Sequence, residues 1–512
     1  MDALRETTRE GTDGWANDRP ALASVEAAGA AAAAPLDRAA VRTILVGIML
    51  AMFLSALEQT IVAPALPAIG KSLADIDNLS WIVTAYLLAA TATTPLFGKL
   101  SDIHGRRTII LLAIGVFVIG SVVCALAPAM WVLVLGRGLQ GIGGGGLLPI
   151  AQTIIADILS PRERPVAQSY TSVMFMSAAI LGPVLGGLLT DHLGWSFIFW
   201  INLPLGIIAL GMTARALRNL PRHDRPHQLD ILGVGLMIAA AIALLLALDW
   251  GGTRYPWSAW PILALFAGSA ALWALFALRL LSAREPFIPL TILLGRTTSA
   301  ITASAFFSVG TIIGVTIFTP LYCQTVLGVS ASVSGLALIA YMLGTVVGSL
   351  ITGQLFNRLT HYMRIPIVGL VLSIAILVYL ALAPAGHSLG AFTLVLGLLG
   401  VAMGPMYPSS TIVIQNAVKP HQMGTATGTL NFFRLLGGAI IVAAFGAIVL
   451  GSAGQGASVA TLENLAPGRG DLAPAFQLVF VTAAGCLAVA LACLFAVEER
   501  PLHGPVRLAD AG

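Results

Sequence analysis

The sequence predicts an all-α membrane protein with fourteen transmembrane helices, arranged as two six-helix bundles with two inserted helices between them. Three observations carry this. Only 10% of the 512 residues are charged while 57% are hydrophobic, against about 25% charged in a typical soluble domain. A chain this poor in charge cannot cover a folded surface with polar groups, so lipid must cover it. Apolar stretches of about 20 residues, enough to cross a bilayer, recur along the chain. Finally, basic residues collect in every second connection.

Breaks at charges, prolines and Gly/Asn/Asp clusters delimit the spans. The first six are expected near 42–66, 80–98, 108–127, 131–155, 167–190 and 197–217. Two more lie near 229–248 and 260–281, and the last six near 299–322, 333–355, 365–383, 388–412, 425–450 and 475–496. Residues 1–40 are polar and then alanine-rich, with no short apolar core behind the first methionine as a secretory signal would have, and read as a disordered cytoplasmic tail. The domain plan is then a first bundle over 41–220, the inserted pair with its flanking loops over 221–297, a second bundle over 298–497 and a cytoplasmic tail over 498–512.

With the N-terminus inside, the internal loops hold Lys99, Arg106, Arg107, Arg162, Arg164, Arg215, Arg218, Arg222, Arg225, Arg279, Arg284, Arg296, Arg358, Arg364 and Lys419. The external loops hold Lys71, Arg254 and Arg469. The asymmetry predicts that both termini face the cytoplasm. A faint repeat supports the plan. GKLSDIHGRR (98–107) follows the second helix and GQLFNRLTHYMR (353–364) follows the tenth, each reading Gly-x-Leu-x-(Asp/Asn) before basic residues. Repeated halves around a central site are how many transporters are built.

Several function classes drop out. The arginines are spread between apolar segments and form no patch for nucleic acid. Cys124, Cys323, Cys486 and Cys493 lack metal-ligand spacing and read as small core residues. The run GIGGGG (141–146) satisfies a dinucleotide fingerprint only in letters. No strand precedes it, and small residues inside a span serve close helix packing. There is no Walker pattern and no nucleophile–base pairing, so neither ATP hydrolysis nor enzyme chemistry is expected, and no cofactor or metal.

The chemistry sits in a few polar residues inside apolar spans. Glu58, in FLSALEQTIVAPALP (53–67), is a carboxylate near mid-membrane, where desolvation disfavours its charge. Such a group suits uptake and release of a proton. Arg137 is a cation inside the fourth span and must find an acceptor or water; a structural hub and a part in proton coupling both fit. Arg434, in the thirteenth span, is open to a structural or a substrate-contact role. Gln59 and Gln140 offer neutral hydrogen bonds to a substrate cavity. In the loop after the second span, Gly98 allows close helix approach, Asp102 can cap or pair, and Arg106 and Arg107 fix orientation. GPVLGG (182–187) joins Pro183 to Gly182 and Gly186, the mark of a kinked, tightly packed helix.

These stretches resemble the major facilitator superfamily. GKLSDIHGRR looks like its loop signature, with Gly98, Asp102, Gly105, Arg106 and Arg107 as a cytoplasmic gating loop. LGRGLQGIGGG (135–145) resembles its fourth-helix motif, with Arg137. LGPVLGGLL (181–189) resembles the antiporter motif, where Gly182, Pro183, Gly186 and Gly187 would help seal the outer side. ALEQTIVAPALP (56–67), WIVTAYLLA (81–89), GWSFIFWINLPLG (194–206), LDILG (229–233), and FFRLLGGAI (432–440) with QNA (415–417) resemble its fourteen-helix drug:proton antiporters. Two positions depart from the family pattern: Ile103 follows the loop Asp where a basic residue is usual, and Glu58 stands where Asp is common.

The resemblance implies a secondary exporter of lipophilic, cationic drugs or toxic compounds in exchange for protons by alternating access, with proton and substrate competing for one site. A specific exporter of one metabolite, siderophore or antibiotic is the alternative on the same fold. A non-transporting sensor would not need intramembrane charges. Expected partners are a small-molecule substrate, protons and the bilayer of a bacterial inner membrane, with a periplasmic adaptor and outer-membrane channel as further candidates.

Overall fold

The computed structural model describes residues 38–76, 78–218, 229–356, 358–359, 361–382, 388–452 and 472–499. Most of the expected N-terminal tail, residues 500–512, and Arg222, Arg225 and Arg469 lie outside them.

Fourteen helices among the described residues are long and apolar enough to cross a membrane. They are α1 Val41–Leu73, α2 Ser80–His104, α3 Arg106–Ala125, α4 Met130–Ile158, α5 Arg164–His192, α6 Phe197–Ala216 and α7 Ile231–Trp250. The remainder are α8 Trp260–Ser282, α9 Arg296–Thr325, α10 Ser332–Leu355, α11 Arg364–Leu382, α12 Leu389–Ala417, α13 Pro420–Ser452 and α14 Ala473–Phe495. Arg106 at the start of α3 meets Asp157 at the end of α4, and Arg164 at the start of α5 meets Asn416 at the end of α12; this end is called here the basic end.

The helices start and stop where local chemistry dictates. Asp230 accepts from the backbone N–H of Gly233, 3.1 Å away, and caps α7; Ser330 and Ser388 cap α10 and α12 in the same way. Proline interrupts α1, whose long helix ends at Ile61 before Pro64 and Pro67, and α12, which breaks between Met403 and Met406 at Gly404 and Pro405. The departure from the sequence expectation that bears on the site is in α2. It runs on to His104, so GKLSDIH is helix and the turn is Gly105 alone. Gly105 has φ of +84°, a left-handed conformation that glycine adopts without strain.

Two large hydrophobic cores form, with a smaller cluster of Leu88, Ala241, Leu245, Phe432 and Leu436 joining α2, α7 and α13. One draws on residues of α1 to α6, from Ile44 to Leu217, and the other on α7 to α14, from Val234 to Leu494. The inserted α7 packs on α2 and α13, and α8 on α7, with the Trp273 ring of α8 6.2 Å from Phe432 of α13. Arg279 of α8 donates to Asp230 at 3.0 Å, tying the two inserted helices together. No residue of α7 or α8 reaches the central cavity described below.

Glycine lets these helices approach to backbone contact. Within GIGGGG, a Cβ on Gly141 or Gly145 would meet the carbonyl oxygens of Tyr86 and Ala90 on α2, while one on Gly143 would meet the backbone of Phe117 on α3. The run is thus a two-sided packing surface, as small residues in membrane helices usually are. The repeat at 98 and 353 has a spatial counterpart. Gly98 of α2 lies against Gly424 and Gly428 near the start of α13, and Gly353 of α10 lies against Pro165 and Ser169 near the start of α5. Each half therefore sets its glycine on the N-terminal end of the other half's fifth helix.

Gly145→Ala should lower the unfolding temperature in detergent, corresponding to about 1–3 kcal/mol of overpacking. Gly138→Ala, whose Cβ position is open, should leave it unchanged.

Candidate functional site

Glu58 of α1 lies in the core of the first bundle with no solvent exposure, and Arg137 of α4 is 1% exposed beside it. A guanidinium N–H of Arg137 (Nη1) donates to Glu58 Oε1, forming a salt bridge. Neighbours serve the second carboxylate oxygen of Glu58 and the Nε and Nη1 of Arg137. Arg137 Nε donates to the Ile82 carbonyl at 2.8 Å and Nη1 to Gln140 Oε1 at 2.6 Å. Asn202 Nδ2 donates to Glu58 Oε2 at 2.6 Å. Gln140 Nε2 donates to Ser121 Oγ at 2.8 Å, and Ser121 donates in turn to the Phe117 carbonyl. The Arg137 guanidinium also sits 4.6 Å from the Tyr86 ring centre, within cation–π range.

This arrangement is what a buried ion pair requires. Desolvation of two charges exceeds their attraction unless further hydrogen bonds satisfy the remaining donors and acceptors. Asn202, Ser121 and Tyr86 were not singled out in the sequence, although Asn202 and Tyr86 fall inside quoted motifs. Polar groups in the middle of otherwise apolar spans were the available signal.

A cavity of about 360 Å³ lies between the two halves. Its first wall carries Ser55, Gln59, Tyr86, Thr94 and Phe175, and its second Thr316, Tyr341, Thr345, Tyr407, Asn431 and Arg434. Gln59 and Arg434 thus sit where the sequence put them. Gln140 does not: it is fully buried, its amide bound to Ser121 and Arg137, on the side of α4 that faces α3. Glu58 and Arg137 are likewise absent from the wall. The pair lies beside the cavity, buried in the first bundle. Tyr86 and Ser55 separate it from the cavity. The Tyr86 hydroxyl donates to the Ser55 carbonyl at 3.3 Å, and its ring meets Arg137 from behind.

On the basic side of the cavity, polar contacts link the two halves. Asn431 Nδ2 donates to Gln152 Oε1 at 2.8 Å, and Gln415 Nε2 to the Gln152 carbonyl at 3.2 Å. Further toward the basic end, Asp102 of α2 accepts from the N–H groups of Gly424 and Thr425 at 2.9 and 2.7 Å and from the Thr425 hydroxyl at 2.7 Å. A carboxylate of one half thereby caps a helix of the other, favoured by both the free N–H groups and the helix dipole. Arg106 bridges Asp102 to Asp157 of α4, so the ionic link forms even though Ile103 is buried and uncharged. Arg107 stays outside this network, and its Nε has no hydrogen-bond partner. On the opposite seam, Arg164 Nη1 donates to Asn416 Oδ1 at 3.2 Å, and Ser172 to Ser349 at 2.9 Å.

In the antiporter-like stretch, Gly182 and Gly186 pack directly against Thr60 and Ile61 of α1. Pro183 is exposed, with the helix continuing through it, and Gly187 has open space beside it. The close packing comes from two of the four residues.

The sequence profile of the Major Facilitator Superfamily matches residues 48–230 and 231–442. The chain is 34% identical over 415 residues to the multidrug transporter protein MdtP of Bacillus subtilis, covering 81% of this chain and 76% of that protein. It is 32% identical over 414 residues to multidrug resistance protein 3 of the same organism, covering 80% of each. Among solved structures, the human organic anion transporter MFSD10 (TETRAN) superposes with a TM-score of 0.62 at 18% identity, over 88% of this chain and 99% of that one. At that identity the likeness concerns the fold alone.

Two outcomes follow from the geometry. Arg137→Met leaves Glu58 buried without a counter-charge, which should cost about 3–5 kcal/mol in unfolding measured at pH 8. Adding Glu58→Gln should recover most of that loss. Asp102→Ala should weaken closure of the basic end by about 1 kcal/mol. It should be read as faster maleimide labelling, from that end, of a cysteine placed by Thr94→Cys on the cavity wall.

Proposed function

The chain belongs to the major facilitator superfamily, and on that premise we propose that it exports lipophilic small molecules in exchange for protons, by alternating access in the plasma membrane of a bacterium. The observation that carries the proposal is the buried Glu58–Arg137 pair set directly behind a cavity that both halves line. Multidrug relatives support the efflux half of the reading.

In this reading Glu58 is the proton carrier. When ionised, it holds Arg137 and Asn202 in place. On protonation it loses its charge, and Arg137 is left with only neutral acceptors, Gln140 and the Ile82 carbonyl. The guanidinium lies against Tyr86, and Tyr86 forms part of the cavity wall. Movement of Arg137 therefore reshapes the wall a substrate touches, and a substrate that presses on Tyr86 acts back on the pair. Coupling of two adjacent sites through one shared residue is reciprocal by linkage.

The other half of the cycle is the seam at the basic end, which we assign to the cytoplasm from the loop charges. We read the contacts of Asp102, Gln152, Asn431 and Arg164 as holding that end shut. Proton uptake then belongs to this state, and release to the state in which the seam opens. We take the halves 41–220 and 298–497 as the moving bodies, with the inserted pair flanking them.

The wall suits loose recognition. Phe175, Met176, Met342, Met403 and Tyr407 provide aromatic and thioether surface that adapts to many shapes. No Asp or Glu lies on the wall among the described residues. The lipophilic cation expected from sequence finds no counter-charge there, and the proposal is for lipophilic cargo without a cationic requirement.

Expressed in an efflux-deficient host, the chain should raise tolerance to several unrelated lipophilic compounds, and an uncoupler should remove the effect. Glu58→Gln should return tolerance to that of the empty host while the protein still inserts, and Glu58→Asp should keep part of it. Uncoupler-sensitive export by the Glu58→Gln protein would refute the role of Glu58.

A further inference from the structure

Among the described residues, two arginines inside spans are almost fully buried, Arg137 in the first half and Arg434 in the second, and they are treated differently. Arg137 has a carboxylate in contact. Arg434, 2% exposed, has none: among the described residues no acid lies within ion-pairing distance of it. Its partners are all neutral. Nη1 donates to Asn431 Oδ1 at 3.1 Å, and Nη2 donates to the Tyr407 carbonyl, Ser410 Oγ and Thr411 Oγ1 at 2.8, 2.7 and 2.9 Å. The guanidinium lies 4.1 Å from the Tyr407 ring centre. Its Nε is buried and has no acceptor at all.

These contacts hold the guanidinium in one orientation but leave its charge uncompensated. A buried cation without a counter-ion is costly, and membrane proteins place such groups facing a cavity or a partner. Arg434 does face the cavity, and among the described residues it is the only charged side chain on that wall. The surrounding wall is otherwise apolar and hydroxyl-bearing, with Ile312, Ile313 and Thr316 from α9 and Leu435 beside the arginine itself. A planar guanidinium with free donor capacity, fixed beside an apolar chamber, is a receptor for an oxyanion attached to a hydrophobic body.

Resting on the efflux reading above, we propose that Arg434 receives an anionic group of the cargo, so that the substrates this chamber prefers are lipophilic organic anions, such as aromatic carboxylates or sulfonates. The charge of the cargo then completes the second half as Glu58 completes the first. The two arginines divide the work. Arg137 answers to the proton through Glu58, and Arg434 answers to the substrate. A cationic cargo would meet repulsion from Arg434 and no acid to offset it.

Three probes with one ring system separate charge from shape: naphthalene-2-sulfonate, naphthalene-2-methanol, and the quaternary cation (2-naphthylmethyl)trimethylammonium. Their charges do not vary with pH in the working range. The full chain in proteoliposomes, under an imposed proton gradient, should accumulate the sulfonate at least tenfold over the trimethylammonium probe. Arg434→Gln should lower sulfonate accumulation about tenfold and narrow the difference between probes. Arg434→Lys should keep a good part of it, because the charge remains. Equal accumulation of sulfonate and trimethylammonium by the unmodified chain would overturn the assignment, as would unchanged sulfonate transport by Arg434→Gln. If Arg434→Gln fails to insert, the unmodified chain's preference and the Arg434→Lys protein still decide. Gradient-driven accumulation of the alcohol or the cation without the sulfonate refutes the anion site and leaves export standing. Absence of gradient-driven accumulation for every probe and for the wider panel refutes export itself.

Discussion

A carboxylate and a guanidinium in contact at the centre of the first bundle constrain everything built around them. Neither charge can be left alone in a medium where isolated ions are costly, and their mutual attraction does not by itself cover the loss of water. The fold therefore brings three other helices to the pair: Ser121 from α3, Asn202 from α6, and Ile82 and Tyr86 from α2, with Gln140 one turn along α4 from Arg137. Those contacts determine how α1, α2, α3, α4 and α6 sit relative to one another. Close approach is possible because glycines on α4 let its backbone touch α2 and α3. The ion pair and the glycine run are thus two parts of one arrangement.

The pair also explains where the cavity is. Because Glu58 and Arg137 are sealed inside the bundle, the space between the halves is free of acid, and its wall on that side is formed by Ser55 and Tyr86. The second half is built to the opposite rule. Arg434 stands on the wall itself, and its neutral neighbours orient it without cancelling its charge. In the proposed cycle, a charge that is fully answered within the protein serves structure and proton exchange. One that is only oriented is available to a ligand.

At the basic end the two halves meet through helix termini and not through apolar surface. Asp102 and Arg106 tie α2 to α13 and α4, and the glycine pairs 98/424 and 98/428 bring the backbones close enough for a carboxylate to reach free N–H groups. Such a seam can open at modest cost, since both the capping carboxylate and the exposed N–H groups find water when parted. Interfaces meant to stay closed are made differently: the inserted α7 and α8 join the second core through Met237, Phe276 and Leu280, with no polar contact to the cavity.

The sequence alone determined the number of spans, their boundaries to within a few residues, the basic asymmetry of the loops and the identity of most polar residues that matter. It could do so because length, apolar run and isolated charge are local properties. It located Glu58, Arg137, Arg434, Asp102 and Arg106 for the same reason, a charge inside an apolar run being visible without a fold. It misplaced Gln140 and did not single out Asn202, Ser121 or Tyr86, because which face of a helix a neutral side chain presents depends on neighbours far away in the chain. Only tertiary structure decided that Glu58 and Arg137, 79 positions apart, touch each other and not the cavity. It also decided that Arg434 meets no acid among the described residues. Both are statements about distances between helices, which the order of residues along the chain does not contain.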